Sequence, residues 1–206
     1  QDLGQDVQKI FQQIAALGKA GKLKALLQSP FTLHSGMLEQ IEAERQKALQ
    51  GQPGRIHAKM NALTEPKIIR ALYEASQAGV RVDLIVRGVC CLLPGVSGVS
   101  ENIRVRSVVG RFLEHMRVYC FGVGEDGKVF LSSADWMDRN FFRRVEACFP
   151  IRDPALAERV YREGLAHYLD DNTQAWELLN DGTYQKFKNR GKSYGAQAAL
   201  LESLSE

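Results

Sequence analysis

Arginine is concentrated between residues 87 and 144, and this bias is the clearest chemical signal in the chain. Eight of the sixteen arginines lie there, but only one of the eleven lysines, Lys128. A guanidinium group presents a flat fork of donors that fits two phosphate oxygens and keeps its charge when partly buried, whereas an ammonium is a hydrated point charge. The bias predicts a binding site for an oligophosphate; for any single arginine the alternative is a surface ion pair. The eight are Arg87, Arg104, Arg106, Arg111, Arg117, Arg139, Arg143 and Arg144.

A histidine lies inside this arginine-rich stretch, two residues before an arginine. If His115 opens a strand, His115 and Arg117 present their side chains on the same face. The imidazole can then attack a phosphoryl group or exchange protons with it while the guanidinium holds its oxygens. A turn that contains Ser132, Ser133 and Asp135 follows after a predicted hairpin. The pattern predicts a site of phosphoryl chemistry.

The same spacing occurs upstream at His57, Lys59 and Asn61, which predicts a second strand with these side chains on one face. We expect the two strands to face one pocket. One interpretation is then a phosphodiesterase or nuclease, with His57 and His115 as nucleophile and acid. Besides phosphoryl transfer and phosphodiester hydrolysis, a non-enzymatic interpretation remains: a module that binds polyanions through its arginines.

Two glycine motifs resemble nucleotide-binding loops without the right context. Residues 122–127 read GxGxxG, but a strand follows them where a phosphate-binding helix would begin, so a hairpin turn is predicted. Gly191, Lys192 and Ser193 resemble the end of a P-loop, but no strand leads into them. A loop is predicted there.

Composition excludes several classes of protein. The apolar fraction of 45% supports a sizeable core, and a net charge of only +3 argues against a nucleic-acid partner. The sequence contains no run of about 18 apolar residues, so no transmembrane segment is predicted, and no leader is recognisable. The four cysteines have no metal-binding spacing, which predicts no metal site, free thiols and a cytoplasmic location.

Hydrophobic periodicity predicts an α/β fold, a mixed β-sheet flanked by helices. A strand, a helix and a strand in the first part of the sheet predict a parallel pair with a right-handed crossover. Strands are predicted at 55–60, 82–86, 103–109, 116–121, 128–131 and 145–151. Helices are predicted within 7–27, from a cap at Ser35 to about 51, and at 65–78, 153–169 and 173–179, with a weak one in 186–206.

Several long motifs, in the same order, resemble the C-terminal catalytic domain of the bacterial polyphosphate kinases, which has a phospholipase-D-like fold. The resemblance covers roughly residues 29–185. Its main motifs are Val86-Arg87-Gly88-Val89-Cys90, Ser100-Glu101-Asn102-Ile103, Arg111-Phe112-Leu113-Glu114-His115-x-Arg117-Val118-Tyr119, Ser132-Ser133-Ala134-Asp135-Trp136-Met137-x-Arg139-Asn140 and Arg143-Arg144-Val145-Glu146, together with Lys59-x-Asn61-x-Leu63 and Leu72-Tyr73-x-Ala75-Ser76.

The resemblance implies an enzyme that reversibly transfers the terminal phosphoryl of ATP to inorganic polyphosphate, with Mg²⁺, through a phosphohistidine. That histidine lies upstream of the segment matched here. His115 corresponds to a second active-site histidine that contacts nucleotide, and Arg87 to an ATP-binding arginine. The other residues expected to bind nucleotide or phosphate are Lys59, Asn61, Arg117, Ser132, Ser133, Asp135, Arg139 and Asn140.

The sequence departs from the phospholipase-D pattern in its second motif. Phospholipase-D relatives have His-x-Lys followed by an Asp, whereas this chain has His115-x-Arg117 and Gly122 at the position of the Asp. The resemblance therefore carries over kinase rather than phosphodiesterase chemistry. Function is transferred to Lys59 and Asn61, but not to His57.

The expected organisation is a helical tail of an upstream domain at 1–28, the catalytic domain at 29–185 and a tail at 186–206. Because the chain opens at Gln1 inside a helical pattern, we expect it to be a piece of a longer protein. The fragment alone is expected to be nearly inactive. The expected partners are ATP or ADP, polyphosphate, the upstream domains and further copies of the intact enzyme, which can associate peripherally with membranes.

Overall fold

A mixed nine-stranded sheet organises the chain. The computed structural model describes residues 2–15, 22–122, 124, 127–188 and 191–205. In these residues the strand order is β1-β7-β6-β5-β2-β3-β4-β8-β9. The strands are β1 Leu27–Gln28, β2 Arg55–Met60, β3 Arg81–Val86, β4 Ile103–Val108, β5 Val118–Phe121, β6 Lys128–Ser132, β7 Ala147–Pro150, β8 Ala175–Leu178 and β9 Tyr184–Lys186.

Helices cover both faces of the sheet, as the sequence predicts for an α/β fold. The first three are α1 Asp2–Ile14, α2 Leu33–Leu49 and α3 Pro66–Gln77. The others are α4 Asp138–Phe142, α5 Pro154–Tyr161, α6 His167–Asp170 and α7 Ala196–Ser203, with a π-helical turn, Arg162–Ala166, joining α5 to α6. Among the described residues, no helix is long and apolar enough to cross a bilayer.

The centre of the sheet is parallel and its flanks are antiparallel. Strand β2 pairs in parallel with β3, and β3 with β4, whereas β2 pairs antiparallel with β5. Ile56, Ala58 and Met60 of β2 pack with α2 and α3 on one face, because side chains alternate along a strand. The other face of the sheet packs against α5, the π-turn, α6 and α7. The predicted parallel pair is confirmed.

Local sequence signals explain helix α3 well and α2 less well. Glu65 is the N-cap of α3, where its carboxylate accepts a hydrogen bond from the Ile68 amide at 2.7 Å, and Pro66 follows at the first position. The predicted cap at Ser35 is wrong. Helix α2 begins at Leu33 after the cap position Thr32, three residues earlier than predicted, and Leu33 is buried. The Ser35 hydroxyl donates to the Thr32 carbonyl.

The N-terminal segment is helical only in part. Helix α1 ends at Ile14, and the predicted helical pattern at 16–21 lies outside the described residues. The prediction of a helix up to Leu27 is wrong, because Leu27 and Gln28 instead pair with β7 as strand β1. The buried Asp6 carboxylate ties α1 to this strand by accepting hydrogen bonds from the amides of Lys24, Ala25 and Leu26 at 2.7–3.1 Å.

The helix predicted at 173–179 is a strand. Ala175–Leu178 pairs antiparallel with β4, whose outer edge would otherwise leave backbone groups unpaired. Ala175 and Leu178 are buried while Trp176 is exposed. A four-residue apolar stretch fits either element, and the long-range pairing decides between them.

Gly164 lets the π-turn approach β5 closely. A Cβ at this position would lie 2.8 Å from Val118 Cγ2, inside the core of that face. Gly4, in the first turn of α1, has no heavy atom within 4 Å of its would-be Cβ. The two positions form a matched pair of helical glycines.

We expect Gly164→Ala to lower the free energy of unfolding by about 1 kcal/mol, because crowding against Val118 outweighs the better helix propensity of alanine. Gly4→Ala should raise it by up to about 0.5 kcal/mol, because Gly4 lies in the first turn of α1 rather than in the helix interior. Urea unfolding of the two variants measures both effects. Equal stabilisation by both substitutions would contradict the close packing at Gly164.

Candidate functional site

The carboxyl ends of the parallel strands β2 and β3 bring Asn61 and Arg87 together. Met60 and Val86 are paired in register, so the next residues on the two strands are neighbours. Nε and Nη2 of Arg87 donate to Oδ1 of Asn61 at 3.0 and 2.9 Å. The Gly88 amide donates to the Asn61 carbonyl at 2.8 Å, and a Cβ on Gly88 would lie 2.9 Å from that oxygen. Glycine after Arg87 is therefore required by the close approach of the two strand ends.

Asp135 joins this pair to Arg117. Its Oδ1 accepts hydrogen bonds from the Asn61 amide at 2.7 Å, from Asn61 Nδ2 at 3.1 Å and from Arg117 Nε at 3.1 Å. Its Oδ2 accepts from Arg117 Nη2 at 3.0 Å, which makes the ion pair bidentate. Burial acts to raise the pKa of Asp135, but the hydrogen bonds from Arg117 and Asn61 outweigh it and lower the pKa below its usual value. The carboxylate is thus held ionised.

His115 lies at the exposed rim of this group. Arg117 Nη1 donates to the His115 carbonyl at 3.0 Å and lies 3.3 and 3.4 Å from the two imidazole nitrogens. The imidazole itself is exposed. Asn61, Arg87, His115, Arg117 and Asp135 form one contiguous group, which we call the Asp135 cluster. Sequence analysis places all five in one site, and the structure brings them together.

The prediction that His115 opens a strand is wrong. Strand β5 begins at Val118, and the segment 112–116, the His115 loop, leaves the sheet. Glu114 is buried and its Oε2 accepts from Lys59 Nζ at 2.6 Å, while Gln197 holds the other oxygen at 2.5 Å. The sequence motifs assign Glu114 no role, and no sequence signal links residue 197 to residue 114.

Lys59 is buried rather than exposed to a ligand. Its side chain is 2% exposed, its ammonium pairs with Glu114, and Nζ lies 3.0 Å from the centre of the Tyr168 ring. Burial lowers the pKa of Lys59 to about 8, although Glu114 acts to raise it. The predicted contact of Lys59 with phosphate would therefore require Glu114 to be displaced.

The serine-rich turn holds Asp135 in place. Ser132 Oγ accepts from the Ala134 amide at 3.0 Å and donates to the Ala147 carbonyl at 3.3 Å. Ser133 donates to the Glu146 carboxylate, whose other oxygen accepts from Asn140 Nδ2 at 2.6 Å.

Arg139 is an exposed residue of α4, next to this turn. The structure thus places Ser132, Ser133 and Asn140 in the hydrogen bonds that shape the turn. Ser133 and Arg139 are both exposed, but the Ser133 hydroxyl is used by Glu146.

His57 lies in a different part of the molecule. It pairs with Cys120 of β5, which lies three residues after Arg117 in the chain. At 3.3 Å per residue of extended chain, Cys120 is about 10 Å from Arg117. Its Nδ1 lies 3.0 Å from the Tyr161 hydroxyl and its Nε2 3.5 Å from Asp83. It lines a cavity of about 540 Å³ whose described lining includes no member of the Asp135 cluster. The predicted shared pocket of His57 and His115 is wrong, since a spacing of two fixes the face of a strand but not the position along it.

The remaining arginines of the rich stretch do not all join the cluster. Arg106 donates to the carbonyl of Leu169, and the Arg143 guanidinium pairs with Asp138 at 3.1 Å on the surface. Arg104 and Arg144 are exposed. The glycine motif at 122–127 connects β5 to β6 as the predicted hairpin, although residues 123, 125 and 126 lie outside the described part. Two arginines of the eight, Arg87 and Arg117, build the site.

The cluster does not fit a protein-held Mg²⁺ ion. Mg²⁺ prefers oxygen ligands in octahedral geometry. Both oxygens of Asp135 accept hydrogen bonds from Arg117 or Asn61, and Glu114 is paired with Lys59. Across the described ranges no group of three or more His, Cys, Asp or Glu residues is placed to hold a metal. The cluster thus offers hydrogen-bond donors rather than free oxygen ligands.

A family model described as polyphosphate kinase C-terminal domain 2 matches residues 26–197. The chain belongs to this family. The polyphosphate kinase of Xylella fastidiosa is 59% identical over 204 residues, and that of Pseudomonas aeruginosa is 55% identical over 205 residues. Both alignments cover 98% of the chain, but only 29% and 30% of those relatives. The chain thus spans about three tenths of the length of the curated polyphosphate kinases it matches.

Solved structures agree with the family assignment. The crystal structure of polyphosphate kinase from Porphyromonas gingivalis matches with a TM-score of 0.94 and 36% identity, over 99% of this chain and 31% of that one. A phospholipase D family member, Nuc from Salmonella typhimurium, matches with a TM-score of 0.54 and 18% identity, over 75% of this chain and 96% of that one. The second likeness shows the fold alone. The phospholipase-D-like architecture of this polyphosphate kinase domain is confirmed.

The low pKa of Lys59 gives a stability effect with a defined sign. Between pH 8 and 10.5 the folded state holds fewer protons on Lys59 than the unfolded state, so this group makes stability rise with pH. We expect wild type to gain about 3 kcal/mol relative to Lys59→Met across that window, at about 1.36 kcal/mol per pKa unit. Urea unfolding of both proteins at each pH gives the two free energies of unfolding. Because thiols and tyrosines titrate in both proteins, their contributions cancel in the difference. A constant difference across the window would contradict the buried environment of Lys59.

Proposed function

We propose that this chain forms the C-terminal part of an enzyme that reversibly transfers the terminal phosphoryl of ATP to inorganic polyphosphate. The observation that carries the proposal is the state of Arg87. Its guanidinium is half-buried and oriented by a neutral amide, Asn61, and no carboxylate of the described residues lies within 4.0 Å of it. A charge that a protein orients and leaves without a counter-ion is suited to an anionic ligand.

Arg117 has a different task in this proposal. Asp135 neutralises it and fixes its plane, and its remaining donor, Nη1, points to His115. With two guanidinium groups and one carboxylate, the cluster keeps one uncompensated positive charge, on Arg87. Phosphoryl transfer relies mainly on positioning and charge stabilisation, and such a charge stabilises the equatorial oxygens of the transferred group.

His115 is proposed to act opposite a histidine in the upstream domain. That histidine attacks the γ-phosphorus, the bond from the γ-phosphorus to the β,γ-bridging oxygen breaks, and ADP leaves. The phosphoryl then passes to the terminal oxygen of the polyphosphate chain. His115 contacts the nucleotide and donates a hydrogen bond or a proton to the leaving oxygen. Its exposure at the rim of the cluster leaves it accessible to such a substrate.

The other predicted residues receive separate roles. Ser132, Ser133 and Asn140 hold the Asp135 turn, and exposed Arg139 is available for the polyphosphate chain. Mg²⁺ is proposed to arrive with ATP and to take its ligands outside this chain. The proposed context is an oligomeric enzyme in the cytoplasm, in which the upstream domains complete the site and peripheral membrane association can occur; the four free cysteines fit a reducing compartment.

We expect His115→Ala to lower kcat for ATP-dependent polyphosphate synthesis by about 10²–10³-fold in the intact enzyme, because the leaving oxygen loses its donor. Single-turnover kinetics with radiolabelled ATP separates this step from binding. The matched control is His57→Asn, which changes a histidine outside the cluster and should leave kcat within about threefold.

Three outcomes would overturn the proposal. Near-normal synthesis by His115→Ala would remove its catalytic role. Hydrolysis of a chromogenic phosphodiester that His57→Asn abolishes would favour a phosphodiesterase. Salt-sensitive polyphosphate binding without turnover by the intact protein would favour a polyanion-binding module.

A further inference from the structure

The His115 loop is held from outside the sheet by one side chain of the C-terminal helix. Gln197 Oε1 accepts from the Phe112 amide at 3.0 Å, and its Nε2 donates to the Phe112 carbonyl at 2.8 Å and to Glu114 Oε1 at 2.5 Å. Gln197 is 6% exposed, so these bonds form in a site from which water is largely excluded. A buried amide with all three bonds made fixes the backbone of the loop.

Lys59, on strand β2, holds the same loop from the side of the sheet through its ion pair with Glu114. Glu114 Oε2 accepts from Lys59 Nζ at 2.6 Å, while Oε1 accepts from Gln197. A buried ion pair contributes little net stability compared with apolar residues of the same volume, but losing one partner is costly. What the pair supplies here is a defined position for Glu114, the residue next to His115.

Helix α7 is itself anchored, which makes Gln197 a fixed reference point. Oδ2 of buried Asp171 accepts from the Ala196 amide at 2.8 Å, and its Oδ1 accepts from the amides of Thr173 and Gln174. A Cβ on Gly110 would collide with the Gln197 side-chain oxygen, so the chain entering the loop packs directly against it. The contacts of Gln197 with Phe112 join residues that lie 85 positions apart in the sequence.

We infer that Gln197 is a positioning residue for His115, and that Lys59 and Glu114 form with it a buried bracket that sets the imidazole beside Arg117. This inference rests on the proposed function, because the position of His115 matters only if His115 takes part in phosphoryl transfer. It assigns Lys59 to positioning rather than to phosphate contact. It also makes the tail beyond residue 186 a working part of the site.

The test is a double-mutant cycle in an intact polyphosphate kinase that contains this chain. Gln197→Leu should lower kcat/KM for polyphosphate synthesis by about 10–100-fold, the size of effect that a misplacement of about 1 Å produces. In the His115→Ala background the same change should cost less than about threefold, because its target is already absent. A loss of equal size in both backgrounds would overturn the inference.

A second variant guards against loss of folding. Lys59→Met combined with Glu114→Gln removes both charges together, so neither is left buried and unpaired. It should also lose activity in a way that depends on His115. If its loss persists in full without His115, Lys59 contacts substrate directly and the inference is wrong.

Amide hydrogen exchange provides a readout that does not depend on activity. Gln197→Leu should speed exchange in the 112–116 segment by at least about tenfold and leave β2 and β3 unchanged, since local opening follows the loss of local bonds. Gln77→Leu is the matched control, because Gln77 Nε2 donates to the Gly98 carbonyl at 2.9 Å elsewhere. Unchanged exchange in the loop of Gln197→Leu would overturn the inference. If exchange speeds up as expected but the intact protein has no kinase activity, the proposed function is overturned instead.

Discussion

The Asp135 carboxylate is the interaction on which the site depends. It collects four hydrogen bonds from Asn61 and Arg117, and so joins residues that lie 74 and 18 positions away in the sequence. Removing a buried hub of this kind leaves several polar groups without partners, which costs more than any one bond contributes. Because Asn61 is fixed in this way, its remaining acceptor can orient Arg87. The position of each guanidinium follows from one carboxylate.

The charge balance of the cluster follows from the same arrangement. Arg117 shares Asp135, whereas Arg87 binds only an amide oxygen and keeps its full charge. A carboxylate in place of the Asn61 amide would neutralise Arg87 as well and leave the cluster without an uncompensated charge. The other nearby carboxylate, Glu114, is used by Lys59 and Gln197 on the far side of the loop. Two carboxylates thus serve structural tasks while the half-buried Arg87 keeps no carboxylate partner.

Local patterns predict six of the nine described strands, β2 to β7, and name the residues of the cluster, but they do not predict its exact arrangement. Alternation and a Pro-led cap are enough to locate β2, β3 and α3, and the motifs name all five members of the Asp135 cluster. The position of His115 in a loop depends on Gln197, and the strand at Ala175–Leu178 depends on the open edge of β4. The burial of Lys59 depends on Glu114 and Tyr168. Such contacts join distant segments, and no local periodicity encodes them.

The most direct test of the central claim is a crystal structure of an intact polyphosphate kinase containing this chain with a non-hydrolysable ATP analogue. The account predicts that oxygens of the nucleotide phosphates lie within hydrogen-bond distance of the Arg87 guanidinium, with the His115 ring facing the β,γ-bridge and the Asp135 hydrogen bonds intact. Phosphates bound instead at the exposed arginines of the α4 region, with Arg87 and His115 free of contact, would contradict it.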